Sequence, residues 1–144
     1  MPEVKTRIDI NSDAQTVWNV LTDIPAHAEW NTIFRDFKGT AELGRGVKLK
    51  VMFAGKHRAF AGKILDCDEN KVFAWGSPKS ALDILINARH YFILEQTDDN
   101  KTQLTHGETF GGLLPLLAWP LIKGVKPLYE QFNRELKARV EKQS

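Results

Sequence analysis

The chain has one cysteine, Cys67, so it cannot form an intramolecular disulfide, and no Cys/His spacing suits a structural zinc ion. It has no apolar run long enough to span a bilayer. Its opening Met1-Pro2-Glu3-Val4-Lys5 lacks the basic-then-apolar order of a secretory signal. A reducing, cytoplasmic setting is the expectation. An excess of one charge is also missing: 20 Lys and Arg against 18 Asp and Glu leave a formal +2. The C-terminal cations Lys123, Lys126, Arg134, Lys137 and Arg139 alternate with Glu130, Glu135 and Glu141, the pattern of a solvated helix face. With neither a basic stripe nor a reading motif, no nucleic-acid partner is expected. There is no phosphate-cradling glycine loop and no dinucleotide fingerprint, so neither a cofactor nor a metal is expected. Cys67 stands between Asp66 and Asp68, whose charge disfavours a thiolate nucleophile.

What is present is an ordinary globular composition, 42% hydrophobic and 26% charged, over 144 residues. That length suits one soluble domain, residues 1–144, with its own core, and no repeat or linker divides it. Val4 to Ile10 alternates apolar and polar residues, as a strand with one buried face does. Ser12 and Gln15 then form a capping-box pattern ahead of the stripe Val17, Trp18, Leu21 and Ile24, which predicts a helix ending near Pro25. From Thr32 to Phe110 the signals are strands between turns: 34–43, 47–53, 60–67, 72–76, 90–95 and 103–110. Seven strands in all, mostly meander-connected, predict an α+β fold. Ser77 to Asn87, interrupted by Pro78 yet rich in Leu and Ile, reads as the beginning of a strand, a short helix or a hydrophobic rim, with core packing and a ligand-entry flap both open.

After Gly111-Gly112, apolar residues at Leu117, Leu121, Val125, Leu128, Phe132, Leu136 and Val140 recur at helical spacing. Pro120 and Pro127 should break this helix early, leaving its regular part from about Pro127 onward. Such a helix needs an apolar surface to cover, and the sheet face is the one available. If glycines such as Gly55, Gly62 and Gly76 let that sheet curve, a cavity opens between sheet and helix.

Strand parity puts His90, Phe92 and Leu94 on one side of one strand, and Leu104, His106, Glu108 and Phe110 on one side of the next. Apolar walls with a few polar groups suit a small hydrophobic molecule. The candidate contacts are Trp30, Phe53, Phe60, Trp75, His90 and Phe92, then His106, Glu108 and Phe110, with Leu121, Val125 and Tyr129 from the helix. Two roles stay open for the polar members. His90 and His106 either meet ligand or satisfy neighbouring groups, and Glu108 either meets ligand or pairs with an arginine such as Arg58 or Arg89. Leu113 to Pro120 reads first as packing and alternatively as an apolar patch for transient membrane contact or a protein partner. No feature specifies an oligomeric state.

The segments Ile10-Asn11-Ser12-Asp13-Ala14-Gln15-Thr16-Val17-Trp18-Asn19-Val20-Leu21-Thr22-Asp23, Trp30-Asn31 and His90-Tyr91-Phe92-Ile93-Leu94 carry a resemblance. So do Thr105-His106-Gly107-Glu108-Thr109-Phe110-Gly111-Gly112-Leu113-Leu114 and Phe132-Asn133-Arg134-Glu135-Leu136-Lys137. The whole chain resembles the START-like, or SRPBCC, superfamily with the helix-grip fold, most closely its polyketide cyclase/dehydrase-like branch. The resemblance implies a seven-stranded curved antiparallel sheet around a long C-terminal helix, two short helices after the first strand, and a deep cavity. Family members bind lipids, sterols, polyketides or hormones, and some catalyse cyclisation, aromatisation or dehydration. Three functions are therefore expected in order: binding or transport of a lipid, quinone or polyketide-like molecule; a cyclase or dehydratase; a protein-interaction or regulatory domain. For an enzyme, His106 or His90 as base and Glu108 or Tyr129 as acid are the first candidates.

Overall fold

A computed structural model describes residues 2–77 and 80–143. Pro78, expected to interrupt its segment, lies outside the described residues. The chain runs β1 (Glu3–Ile10), α1 (Ala14–Thr22), a 3-10 turn (Ile24–Glu29), β2 (Arg35–Gly39), β3 (Gly46–Phe53), β4 (Lys56–Asp68) and β5 (Val72–Gly76). A second 3-10 turn (Ala81–Ile84), β6 (Asn87–Asp98) and β7 (Lys101–Gly111) follow, then α2 (Leu114–Leu117), α3 (Trp119–Ile122), a 3-10 turn (Lys123–Val125) and α4 (Lys126–Lys142). The strands form one antiparallel sheet in the order β1-β7-β6-β5-β4-β3-β2. This is the expected seven-stranded helix-grip architecture.

Curvature comes from missing side chains. A Cβ on Gly62 would lie 2.2 Å from the Gly76 carbonyl oxygen, and one on Gly76 would lie 2.3 Å from that of Ala88. Three strands can pass this closely only with glycine at those positions. A register shift between Ile64 and Asp66 bends β4 further.

The concave face takes α4. Phe132, Leu136 and Val140 are completely buried, and burial of each such side chain contributes about 1.5–3 kcal/mol. Polar ties fix the helix along its length: Glu141 accepts from the Asn11 amide (2.8 Å), Glu135 from the Thr32 amide (3.0 Å), and Arg139 meets Glu29 (2.7 Å).

Four local expectations are corrected. The cap of α1 is Asp13, which accepts from the Thr16 amide at 2.9 Å, and not Ser12. Ser12 is buried instead, its carbonyl accepting from the Thr102 hydroxyl at 2.8 Å. The strand read from 34 to 43 contracts to β2, because Asp36 adopts φ 51° at a bulge and the chain turns after Gly39. The C-terminal apolar stripe does not form one face. Pro115, Pro120 and Pro127 each start a new helix, so the phase resets; Ile122 and Val125 turn inward while Leu117 and Leu121 face out. The turn from Ala81 to Ile84 buries none of its residues, which excludes core packing for that turn.

Candidate functional site

A cavity of about 700 Å³ lies between the β3–β4 hairpin, β7 and the helical segments α2 to α4. Val51, Phe53, Phe60 and Phe110 form its sheet side; Leu114, Ala118, Leu121, Val125 and Leu128 form its helical side. Glu108, Tyr129 and Arg58 are the polar side chains on this otherwise apolar wall. A smaller space of about 70 Å³ adjoins it, bordered by Glu108, Tyr129, Phe34, Trp75 and His90. An apolar ligand with a polar group near Glu108 fits this distribution.

Of the candidates read from sequence, Phe53, Phe60, Glu108, Phe110, Leu121, Val125 and Tyr129 border the large cavity. Trp75 and His90 border its inner extension. Trp30, Phe92 and His106 border neither space. Trp30 packs on His27 and Phe132 (centroids 4.6 and 5.3 Å) beside a separate surface cleft. Phe92 is completely buried against Phe73 and His106. Val51, Phe34, Ile86 and Leu114 are lining residues that sequence reasoning missed. Val51 shares its strand face with Phe53, so parity could have found it. Phe34 had no such signal, because its position depends on a buried turn. His27 Nε2 donates to the Leu21 carbonyl (2.7 Å), its Nδ1 accepts from Asn31 (3.0 Å), and Asn31 Oδ1 accepts from the Ile33 and Phe34 amides.

From the polar end of the cavity one hydrogen-bonded chain runs into the interior. The register pairs His90 with Glu108 and Phe92 with His106 across β6 and β7. The Tyr129 hydroxyl donates to Glu108, whose carboxylate also lies 3.6 Å from His90 Nδ1. His90 Nε2 and His106 Nε2 are 2.7 Å apart, and His106 Nδ1 is 2.7 Å from Asn133 Oδ1. Asn133 Nδ2 donates to Thr6 Oγ1 (2.8 Å), which in turn donates to the His106 carbonyl (2.7 Å). Glu108 therefore meets Tyr129 and His90 rather than an arginine. Arg58 donates to the Phe53 carbonyl (3.1 Å), and Arg89 meets Asp66 (3.5 Å).

This order assigns the protons. Thr6 spends its hydrogen on the His106 carbonyl, so it accepts from the Asn133 amide, and Oδ1 must face His106 Nδ1. His106 is then the Nδ1–H tautomer with Nε2 as acceptor, and His90 donates from Nε2. The remaining ring nitrogen, His90 Nδ1, faces the Glu108 carboxylate. Burial, followed by the nearby His90, holds His106 well below the ordinary imidazole range. Burial and the Glu108 carboxylate raise Tyr129 well above the usual phenol value, so it remains a donor. Packing locks the rings: Trp75 stacks on His90 at 4.6 Å and 1°, and Tyr129 stacks on His106 at 4.7 Å.

Among the described residues, no group of three His, Cys, Asp or Glu side chains is placed to hold a metal ion. Cys67 is half-buried, and burial together with Asp66 and Glu42 raises its thiol, which does not suit a nucleophile. No described helix is long and apolar enough to cross a membrane.

The likenesses to known proteins agree with this geometry. The aromatase/cyclase Zhui from Streptomyces sp. R1128 is 18% identical with a TM-score of 0.77, over 97% of this chain and 93% of that one. A START superfamily protein from Mycobacterium smegmatis is 17% identical with a TM-score of 0.77, over 99% of both chains. Norcoclaurine synthase from Thalictrum flavum, in complex with dopamine and hydroxybenzaldehyde, is 11% identical with a TM-score of 0.74, over 99% of this chain and 88% of that one. At these identities the likeness is one of fold. No curated protein sequence matches the chain. The family model described as polyketide cyclase / dehydrase and lipid transport matches residues 1–141, and the chain belongs to that family.

Proposed function

We propose that this protein binds or carries a small, mostly hydrophobic molecule, such as a lipid, quinone or polyketide-like compound, in the cavity between sheet and helices. The observation that supports it is the cavity itself: about 700 Å³, walled by apolar side chains, with Glu108 and Tyr129 at one place on its surface. Apolar surface supplies affinity, and one polar locus supplies orientation. A reducing, cytoplasmic setting is part of the proposal, supported by the lone Cys67. Native mass spectrometry of the purified protein, followed by denaturation, should release a stoichiometric small molecule. A hydrophobic fluorophore should bind saturably, and Ala118→Trp, which fills the cavity, should weaken it at least about tenfold. Wild-type protein that is empty and binds no fluorophore would sink this reading.

A second reading, cyclase or dehydratase, is favoured by His90 Nδ1 and Glu108, which lie 3.6 Å apart at the inner extension of the cavity. A ligand carbonyl that replaced Glu108 as acceptor from Tyr129 would take the phenolic hydrogen bond. The carboxylate or His90 Nδ1 would then be free to remove a proton from the adjacent carbon. Glu108→Gln should abolish turnover of such a ligand while leaving its affinity within about threefold; a wild-type protein that binds the ligand without turning it over would argue for a binding role alone.

A further inference from the structure

Folded domains seldom leave large apolar side chains in contiguous exposed groups. Here, among the described residues, nine of the twelve large exposed apolar side chains fall on two segments, 82–86 and 113–121. Leu117 is 81% exposed, Ile84 71% and Leu116 63%. Backbone hydrogen bonds join the segments: the Leu113 amide donates to the Ile84 carbonyl (3.2 Å) and the Leu114 amide to that of Leu85 (2.9 Å). They form one surface at the cavity mouth, because Ile86, Leu114, Leu117 and Leu121 are exposed and also line the cavity. The apolar wall continues from the interior out over the lip.

Charge around this lip is one-sided although the chain as a whole is nearly neutral. From Gly111 to Tyr129 the charged residues are Lys123 and Lys126, with no Asp or Glu. The hairpin across the mouth lies in a stretch, Gly44 to Leu65, with six Lys or Arg and no acid, and its tip carries Lys56 and Arg58. Two of those six meet acids outside the stretch, Arg45 with Glu42 and Lys50 with Asp36, and Asp83 is the acid of the 82–86 segment.

We infer that the cavity mouth docks on an anionic lipid bilayer, with Ile84, Leu116 and Leu117 entering the acyl boundary and Lys123, Lys126 and Lys56 meeting headgroups. A bilayer supplies both halves of the complement, hydrocarbon for the leucines and negative charge for the flanking lysines. It also places the open cavity against hydrocarbon, so an apolar ligand passes without crossing water. This purpose rests on the ligand-binding reading; the docking chemistry does not.

The test is co-sedimentation of the full chain with vesicles of phosphatidylcholine alone, or with about one third phosphatidylserine, at low and high salt. Wild type should partition preferentially to the phosphatidylserine vesicles and lose affinity as salt rises. Ile84→Asp with Leu116→Asp, two exposed positions outside the cavity wall, should reduce partitioning at least about tenfold. Lys123→Glu with Lys126→Glu should remove the preference for phosphatidylserine. Fluorophore binding measured without vesicles should be unchanged in both variants, so a failed cavity reading shows in that assay and not in sedimentation. Docking is overturned if wild type ignores both vesicles, or if the aspartate pair partitions like wild type. It is also overturned if wild type is a dimer in free solution that the aspartate pair converts to monomer, since a second copy would then cover this face.

Discussion

The two ends of the cavity follow opposite rules. Behind the inner end, Thr6, Asn133, His106 and His90 are buried and hydrogen-bonded to one another, and stacked rings hold the imidazoles. At the mouth, leucines and isoleucines lie open on short helical segments restarted by Pro115 and Pro120. A buried polar network is costly if half-satisfied, so it settles on one arrangement; exposed apolar chains on short turns can repack at little cost. The protein therefore joins a tightly packed, hydrogen-bonded interior to an exposed apolar entrance.

The sharpest way to break this contrast is at Asn133. Asn133→Ala leaves the His106 Nδ1 hydrogen without its acceptor and Thr6 without its donor. It should cost about 1–3 kcal/mol in urea denaturation. A loss near zero would mean that the inner network does not set the fold.

An intermediate effect is expected from pH. Burial depresses His106 and His27 in the folded state, so both bind protons more readily once unfolded. Their contribution is present above the ordinary imidazole value of about 6.5 and is lost as pH falls below it. Unfolding free energy should be level near pH 8 and decline below about 6.5. Replacing His27 with glutamine should flatten part of that slope, because the position then no longer titrates. A slope of the opposite sign would contradict neutral buried imidazoles. The smallest effect belongs to the mouth: Leu116→Ser should change stability by no more than about 0.5 kcal/mol in the same assay. A larger loss would show that the mouth is part of the core.

Much of this was legible along the chain, and the reason differs by residue. Period-two alternation placed His90, Phe92 and Leu94 on the inner face of β6, and Leu104, His106, Glu108 and Phe110 on that of β7, because neighbouring side chains in a strand must alternate. Parity assigns a face but not a depth, so Phe92 and His106, packed in the interior, were read as equivalent to Phe110, which borders the cavity. Leu117 and Leu121 were assigned to one helical stripe because spacing alone does not register how a proline restarts the helix. Asn133, a polar residue among the charged ones of its helix, carries no sign of its role in the sequence, yet it is buried and makes the contact that sets both imidazole tautomers.

The sequence by itself determined the element order, the inward strand faces, the breaks in the C-terminal helix and the family, since each depends on local periodicity, turn chemistry or short matching segments. Only the tertiary structure decided which inward residues border a cavity, which polar groups share protons, and which leucines stay outside. Those outcomes depend on contacts between residues on different elements, from His90 with His106, 16 positions apart, to Thr6 with Asn133, 127 apart, and no local pattern encodes them.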